Sequence, residues 1–294
     1  MTTDVTTRPT RDLVVPARDG YELAATVFLP SKPDPARVVL VGPAMGVRRR
    51  FYSRFAIFLR QHGFTVLTFD YRGTGGSVRP DSRGAALHDW GEQDLAGAID
   101  WLERTHGATR VSVVAHSVSA QLLGLAGNND RLGPVVLVAP QSGYWRLFGP
   151  YKYVLAAGWT VGIPLLATLF GRLPGWVLGG MDVPAGVARE WARWGRHPDY
   201  ILSYHPDTRA GFARITSPLL VFGMAGDVFA PAAAAKEIVS WYGSPRRELR
   251  HLTATGGGPI GHFNFFKDGV ARDAWRETAA WLAGETAQAA RESG

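Results

Sequence analysis

A serine, an aspartate and a histidine occupy positions in this chain where a hydroxyl could be made nucleophilic. Ser117 lies in Val113-Val114-Ala115-His116-Ser117-Val118-Ser119-Ala120, at the joint of a β-branched apolar run and a helical pattern. A sharp strand-to-helix turn exposes a hydroxyl and admits only small residues two positions to either side. Ala115 and Ser119 meet that demand, although glycine is the commoner occupant of both places. The bland alternative is a serine capping a helix. A serine nucleophile needs a base, and the base needs an orienting carboxylate. Asp227 stands in Gly226-Asp227-Val228-Phe229-Ala230-Pro231, in the loop leaving an apolar run, where a turn or cap aspartate would also fit. His262 stands in Gly258-Pro259-Ile260-Gly261-His262-Phe263 near the end of the chain. The order Ser, Asp, His is the one that accompanies such a turn.

These residues need a frame that brings three distant loops together, and the hydropathy pattern supplies one. Buried-type runs alternate with helical patterns, the signature of a mostly parallel sheet with crossover helices. Asp12–Pro16 and Tyr21–Leu29, joined by Asp19-Gly20, read as an opening antiparallel hairpin. Strands follow at Arg37–Val41, Phe64–Phe69, Arg110–Ala115, Pro134–Ala139, Pro218–Phe222 and Glu248–Leu252. Helical patterns fall at Phe51–His62 (closed by Gly63), Trp90–Thr105, Gln121–Ala126, Ala232–Trp241 and about Val270–Ala289. The alternation breaks between 144 and 210, where tryptophans stand at 145, 159, 176, 191 and 194. A stretch this long and aromatic is too apolar for a loop, so it reads as a helical cap inserted into a core of 1–143 and 211–294. Within it, Tyr153 to Gly171 is uncharged and nearly the length of a membrane span. Gly158, Gly162 and Pro164 favour a buried or cap-forming helix over an integral span.

Composition narrows the chemistry further. No cysteine is present, which excludes thiol catalysis, disulfides and cysteine-held metals. The net charge of +7 and the cluster Arg48-Arg49-Arg50 could favour acidic substrates or anionic surfaces, though a solvated helix start is the plainer reading, and no zinc-finger spacing, RNA-binding signature or basic tail points to nucleic acid. Gly73-Thr74-Gly75-Gly76-Ser77 lacks the spacing of a dinucleotide or phosphate loop and reads as a tight turn. His197 and His205 lack helical metal-ligand spacing, so neither a metal nor a cofactor is expected. Met1 to Thr10 is polar and leads to no apolar segment, which makes a cytoplasmic location the expectation.

Taken together, His116-Ser117, Asp227 to Pro231 and Gly261-His262-Phe263 resemble the α/β-hydrolase superfamily, over nearly the whole chain. The resemblance is to bacterial hydrolase-like proteins with a His-Ser elbow and a Gly-His-Phe terminal motif. It implies an α/β-hydrolase fold and acyl transfer, with Ser117 as nucleophile, His262 as base and Asp227 orienting the imidazole. Developing oxyanion charge would be met by the backbone N–H of Val118 and by a second donor from Gly42-Pro43-Ala44-Met45-Gly46. Pro43 has no N–H, which leaves Ala44 or Met45; likeness to the family's His-Gly-x loop favours Ala44. Met45, His116 and Trp145 are expected at the substrate pocket, His116 alternatively as a structural residue. The aromatic insertion suggests a small-molecule ester or thioester with an apolar acyl or alkyl group. An acyltransferase would share the same triad, and a non-catalytic small-molecule receptor could share the fold.

Overall fold

Runs of alternating side-chain direction build the centre of the molecule. In the computed structural model, which describes residues 9–253 and 258–292, β1 (Thr10–Pro16) and β2 (Glu22–Phe28) form the opening hairpin. β3 (Val38–Gly42), β4 (Thr65–Phe69), β5 (Val111–His116) and β6 (Leu132–Val138) follow. β7 (Arg172–Leu173) and β8 (Val183–Pro184) make a separate two-stranded ladder. β9 (Leu219–Met224) and β10 (Arg247–Leu252) complete an eight-stranded sheet in the order β1-β2-β4-β3-β5-β6-β9-β10. Within this sheet the β1–β2 and β2–β4 pairs are antiparallel and the other pairs are parallel. This is the α/β-hydrolase fold. The first eight residues, part of the polar leader considered above, lie outside the described residues.

The two faces of the sheet bury separate cores, as the two-residue side-chain period requires. Val38, Leu40, Leu67, Val113 and Leu137 face one helical layer, while Val39, Val41, Val66, Val114 and Val136 face the other. The helix Arg272–Glu292 packs on the second face through Trp275, Ala279 and Leu282. From β3 the chain crosses to β4 on one side and then returns past β3 to β5 on the other. The carboxyl ends of β3 and β5 therefore open onto a topological switch point, the crevice where open α/β sheets gather ligands.

Element boundaries shift in ways that matter for the site. The helix behind Ser117 runs from Val118 to Leu122, and a 3-10 turn at Leu123–Leu125 takes up the rest of the pattern read over Gln121–Ala126. The helix read over Trp90–Thr105 is broken into Leu87–Asp89, a wide π-turn at Trp90–Leu95, and Ala96–His106. In the wide turn Asp94 accepts from the Arg72 backbone N–H at 2.9 Å and from Arg72 Nε at 2.7 Å, closing the loop after β4.

The segment from 144 to 210 is mostly helical and lies over the carboxyl ends of the central strands. Val187, Ala188, Ala192 and Trp194 pack it into the main core, and specific hydrogen bonds add to that anchoring. Trp159 Nε1 donates to Gly143 O at 3.0 Å, and the hydroxyl of fully buried Tyr200 donates to Gln121 Oε1 at 2.9 Å. Glu190 Oε2 accepts the backbone N–H groups of Leu87 and His88 at 2.6 and 3.1 Å, capping that short helix with a carboxylate. The long apolar run forms one helix, Gly149–Phe170, long and apolar enough to cross a membrane by length and composition. Only 17% of its apolar window is buried, so it is a surface helix and not a core one.

Candidate active site

The turn after β5 forces Ser117 into an unfavourable backbone conformation, φ 54° and ψ −113°, outside the regions an L-residue prefers. Such strain persists only where surrounding structure imposes it. Here the Ser117 N–H is held by Val138 O of β6 at 3.0 Å, and its carbonyl accepts the Ala120 N–H at 3.0 Å. The result lifts the hydroxyl above the switch point at the start of the helix Val118–Leu122.

His262 Nε2 lies 2.9 Å from Ser117 Oγ, and His262 Nδ1 lies 2.8 Å from Asp227 Oδ2. Residues 145 positions apart in sequence are thus joined in one hydrogen-bonded line. With Nδ1–H donated to the carboxylate, Nε2 is free to accept the serine proton. Asp227 also performs the turn role weighed for it: its other oxygen, Oδ1, accepts the Phe229 and Ala230 N–H groups at 2.9 and 3.0 Å. Those two bonds fix the carboxylate, and the three residues are 4–7% exposed.

A second line of hydrogen bonds runs beneath the first. Tyr52, fully buried at the end of a 3-10 turn, accepts the Ala44 N–H at 2.8 Å and lies 2.9 Å from His116 Nδ1. His116 Nε2 in turn is 3.0 Å from the carbonyl oxygen of His262. A carbonyl can only accept, so His116 carries its proton on Nε2 and Tyr52 donates to Nδ1. Burial, with His262 nearby, holds the His116 imidazole well below its ordinary value, so it is neutral. This line ties the loop after β3 to the backbone of His262.

Two expectations are corrected by it. Ala44 cannot supply the second oxyanion donor, because its N–H is already given to Tyr52. The Met45 N–H carries no such bond among the described residues, and it is the remaining candidate beside Val118 N–H. His116 does not reach the cavity; it is fully enclosed and braces the histidine loop. Trp145 is also away from the cavity lining, half-buried with its ring 6.2 Å from that of Tyr153. Met45, the third residue expected at the pocket, does line it.

A cavity of about 370 Å³ opens above Ser117. Met45, Val118, Phe229 and Phe263 form its floor and sides, and Leu155, Trp159, Ile163 and Leu166 of the long surface helix form its roof. Gln141 also reaches in, donating through Nε2 to Ser117 Oγ at 3.2 Å, while its Oε1 is buried without a partner. Sequence reading passed over Gln141, although its place three residues beyond β6, at the carboxyl end of a central strand, was a usable signal. Tyr52 had no comparable signal. Ser119, read above only as a small neighbour of Ser117, donates to Pro43 O at 2.7 Å and meets the Tyr71 hydroxyl at 2.7 Å. Gly42 must be glycine for that contact, since a Cβ there would sit 2.7 Å from Ser119 Oγ.

Comparison with known proteins agrees with this architecture. An uncharacterized protein of Mycobacterium tuberculosis is 32% identical over 120 residues, covering 40% of this chain and 41% of the relative. A putative carbamate hydrolase, RutD, of Caulobacter segnis is 36% identical over 103 residues, covering 34% and 37%. The matches thus span only about two fifths of these relatives. Solved structures match over nearly full length at low identity and speak to the fold alone. They include the Pyrococcus furiosus esterase Pf2001 (TM-score 0.60, 16% identity, 94% of this chain and 93% of that one). The α/β hydrolase GrgF of Penicillium matches with TM-score 0.63 at 17% identity, covering 95% and 100%. Residues 38–280 match the Alpha/beta hydrolase family as a whole, and it is to this family that the chain belongs.

Proposed function

We propose that the protein is a serine hydrolase that cleaves an ester or thioester bearing an apolar acyl or alkyl group. The observation that carries this reading is the unbroken line Ser117 Oγ, His262 Nε2, His262 Nδ1, Asp227 Oδ2, with bonds of 2.9 and 2.8 Å, opening into an apolar cavity. Its inserted segment acts as a cap whose aliphatic and indole side chains hold the acyl chain by burial.

The reaction would run in two steps. His262 Nε2 takes the hydroxyl proton as Ser117 Oγ attacks the carbonyl carbon, and Asp227 stabilises the imidazolium that results. The tetrahedral oxyanion is met by the N–H groups of Val118 and Met45, each donor worth about 3 kcal/mol in comparable sites. Collapse expels the alcohol or thiol, which takes the proton from His262. Water then attacks the acyl-enzyme by the same route and releases the acid. Gln141 Nε2 holds the resting hydroxyl toward the base. The carbamate chemistry in the Caulobacter relative's name is also attack on a carbonyl, but the apolar lining here favours a hydrocarbon chain.

The test is labelling with a fluorophosphonate probe and identification of the modified peptide by mass spectrometry. The adduct is expected on Ser117 and absent in His262→Ala. Folded protein that takes no label would overturn the reading in favour of ligand binding without turnover.

A further inference from the structure

The helix Gly149–Phe170 has two apolar faces, and the cavity accounts for only one of them. Leu155, Trp159, Ile163 and Leu166 turn inward over Ser117. On the outside Tyr153, Val161, Leu165 and Leu169 stand 52–69% exposed, and Trp176 just beyond the helix is 72% exposed. A helix lying on a protein surface ordinarily turns polar residues to water. A contiguous apolar patch of this kind marks a contact surface. The helix is held along its length, by Trp159 to Gly143, by buried Ile163 and Ala167, and by Arg189 donating to Ala167 O at 3.3 Å. It therefore lies along the body, and both of its ends return to that body.

Charge along this helix has one sign. No aspartate or glutamate occurs between Asp130 and Asp182. Arg146 and Lys152 sit 5.0 Å over the rings of Trp145 and Tyr153 at one end of the helix. Arg189 stands at the other end, donating to Thr168 Oγ1 as well as to the backbone. Asp182, the first acid after the stretch, is paired with Arg172 at 3.0 Å. Aliphatic side chains flanked by aromatic rings and cations are what an anionic lipid surface binds. A second copy of this chain fits poorly, because a two-fold contact would bring these cations together with no acid on the helix to meet them.

We infer that this face docks on an anionic phospholipid bilayer. Val161, Leu165, Leu169 and Trp176 enter the boundary between headgroups and acyl chains, and Arg146, Lys152 and Arg189 meet lipid phosphates. Docking would bring the roof of the cavity against the membrane, a consequence that rests on the proposed active site; the binding itself does not.

The experiment is sedimentation of the full chain with vesicles of phosphatidylcholine alone, or with roughly one third phosphatidylglycerol. Wild type is expected to partition at least about tenfold more strongly onto the anionic vesicles, and added salt should weaken that preference. Val161→Asp combined with Leu165→Asp, neither of which lines the cavity, should reduce binding at least about tenfold at an unchanged melting temperature. Lys152→Glu with Arg189→Glu should abolish the anionic preference. If the aspartate pair fails to fold, Leu169→Ser on the exposed face serves in its place, with a loss of about threefold. Three outcomes overturn the inference: folded wild type that ignores both vesicles, apolar-face variants that bind as well as wild type, or a wild-type dimer that those variants dissociate without any vesicle binding. Fluorophosphonate labelling reports separately on Ser117, so failure of either reading is seen without the other.

Discussion

Replacing Tyr52 by phenylalanine removes one oxygen and tests the line that connects the loop after β3 to the histidine loop. The ring keeps its packing, with Phe266 and Phe51 at centroid distances of 4.7 and 5.2 Å. Lost are the acceptor for the Ala44 N–H at 2.8 Å and the donor to His116 Nδ1 at 2.9 Å. Both partners are buried, and a buried polar group left unsatisfied costs about 1–3 kcal/mol. A change of tautomer does not rescue His116, because moving its single proton to Nδ1 would strip the donor from His262 O. Two orphaned groups, with partial relaxation of the loop, give an expected loss of about 2–4 kcal/mol. At about 2 °C per kcal/mol for a chain of this length, the melting temperature should fall about 4–8 °C. Release of Ala44 also loosens the neighbouring Met45 N–H, so kcat toward a soluble ester should drop about tenfold or more with little change in KM. Thermal melts and steady-state kinetics on the purified variant provide the assay. A double-mutant cycle with His116→Leu should show coupling of at least about 0.5 kcal/mol. Wild-type melting and kcat in Tyr52→Phe, or additive energies in the cycle, would refute the reasoning.

Other perturbations probe separate parts of the molecule. Ser117→Ala should lower ester turnover at least about a thousandfold while leaving the circular-dichroism spectrum unchanged; activity near wild type would remove Ser117 as nucleophile. Gly42→Ala puts a methyl 2.7 Å from Ser119 Oγ, which is pinned by Pro43 and Tyr71, and should cost about 1–3 kcal/mol in denaturant melts. Ile163→Trp fills the roof of the cavity and should depress kcat/KM for long-chain esters more than for acetate esters, measured across a chain-length series. The hydrogen bond that His88 Nδ1 donates to Glu190 holds the imidazole pKa above its ordinary value, and Asp89 and Glu92 add to the effect. A raised folded-state value contributes stability that is full below the unfolded value of about 6.5 and is lost as pH rises through the folded one. The difference in melting temperature between wild type and Glu190→Gln should therefore narrow as pH rises through the raised His88 value; a constant gap would contradict it.

The residues of the candidate site were legible because their chemistry constrains the sequence around them. A serine on a strand-to-helix turn needs small neighbours, and Ala115 and Ser119 record that need. Asp227 and His262 follow the last two strands at their carboxyl ends, where α/β sheets place their loops, although only the first of those strands is an apolar run. The central strands were legible because full burial on both faces demands continuous apolar, largely β-branched runs. The insertion was harder. Its aromatic composition marked it as ordered, but an apolar run reads the same whether it turns toward a core or toward the outside. Which face of Gly149–Phe170 covers the cavity and which stays exposed depends on the packing of Trp159, Ile163 and Ala167.

The sequence by itself determined the alternation of strand and helix, the order of serine, aspartate and histidine, and the absence of any thiol. Those properties are local, or depend only on the order of residues along the chain. Tertiary structure decided which hydrogen bonds are already spent. Ala44 and Met45 are adjacent and equally able to donate in sequence, and only the arrival of Tyr52 from the next turn engages one N–H and leaves the other. In the same way the burial of His116 against His262 O made it a brace and kept it out of the pocket. A donor's availability is fixed by what lies within about 3 Å of it, and that neighbour stands eight residues along the chain for Ala44 and 146 for His116.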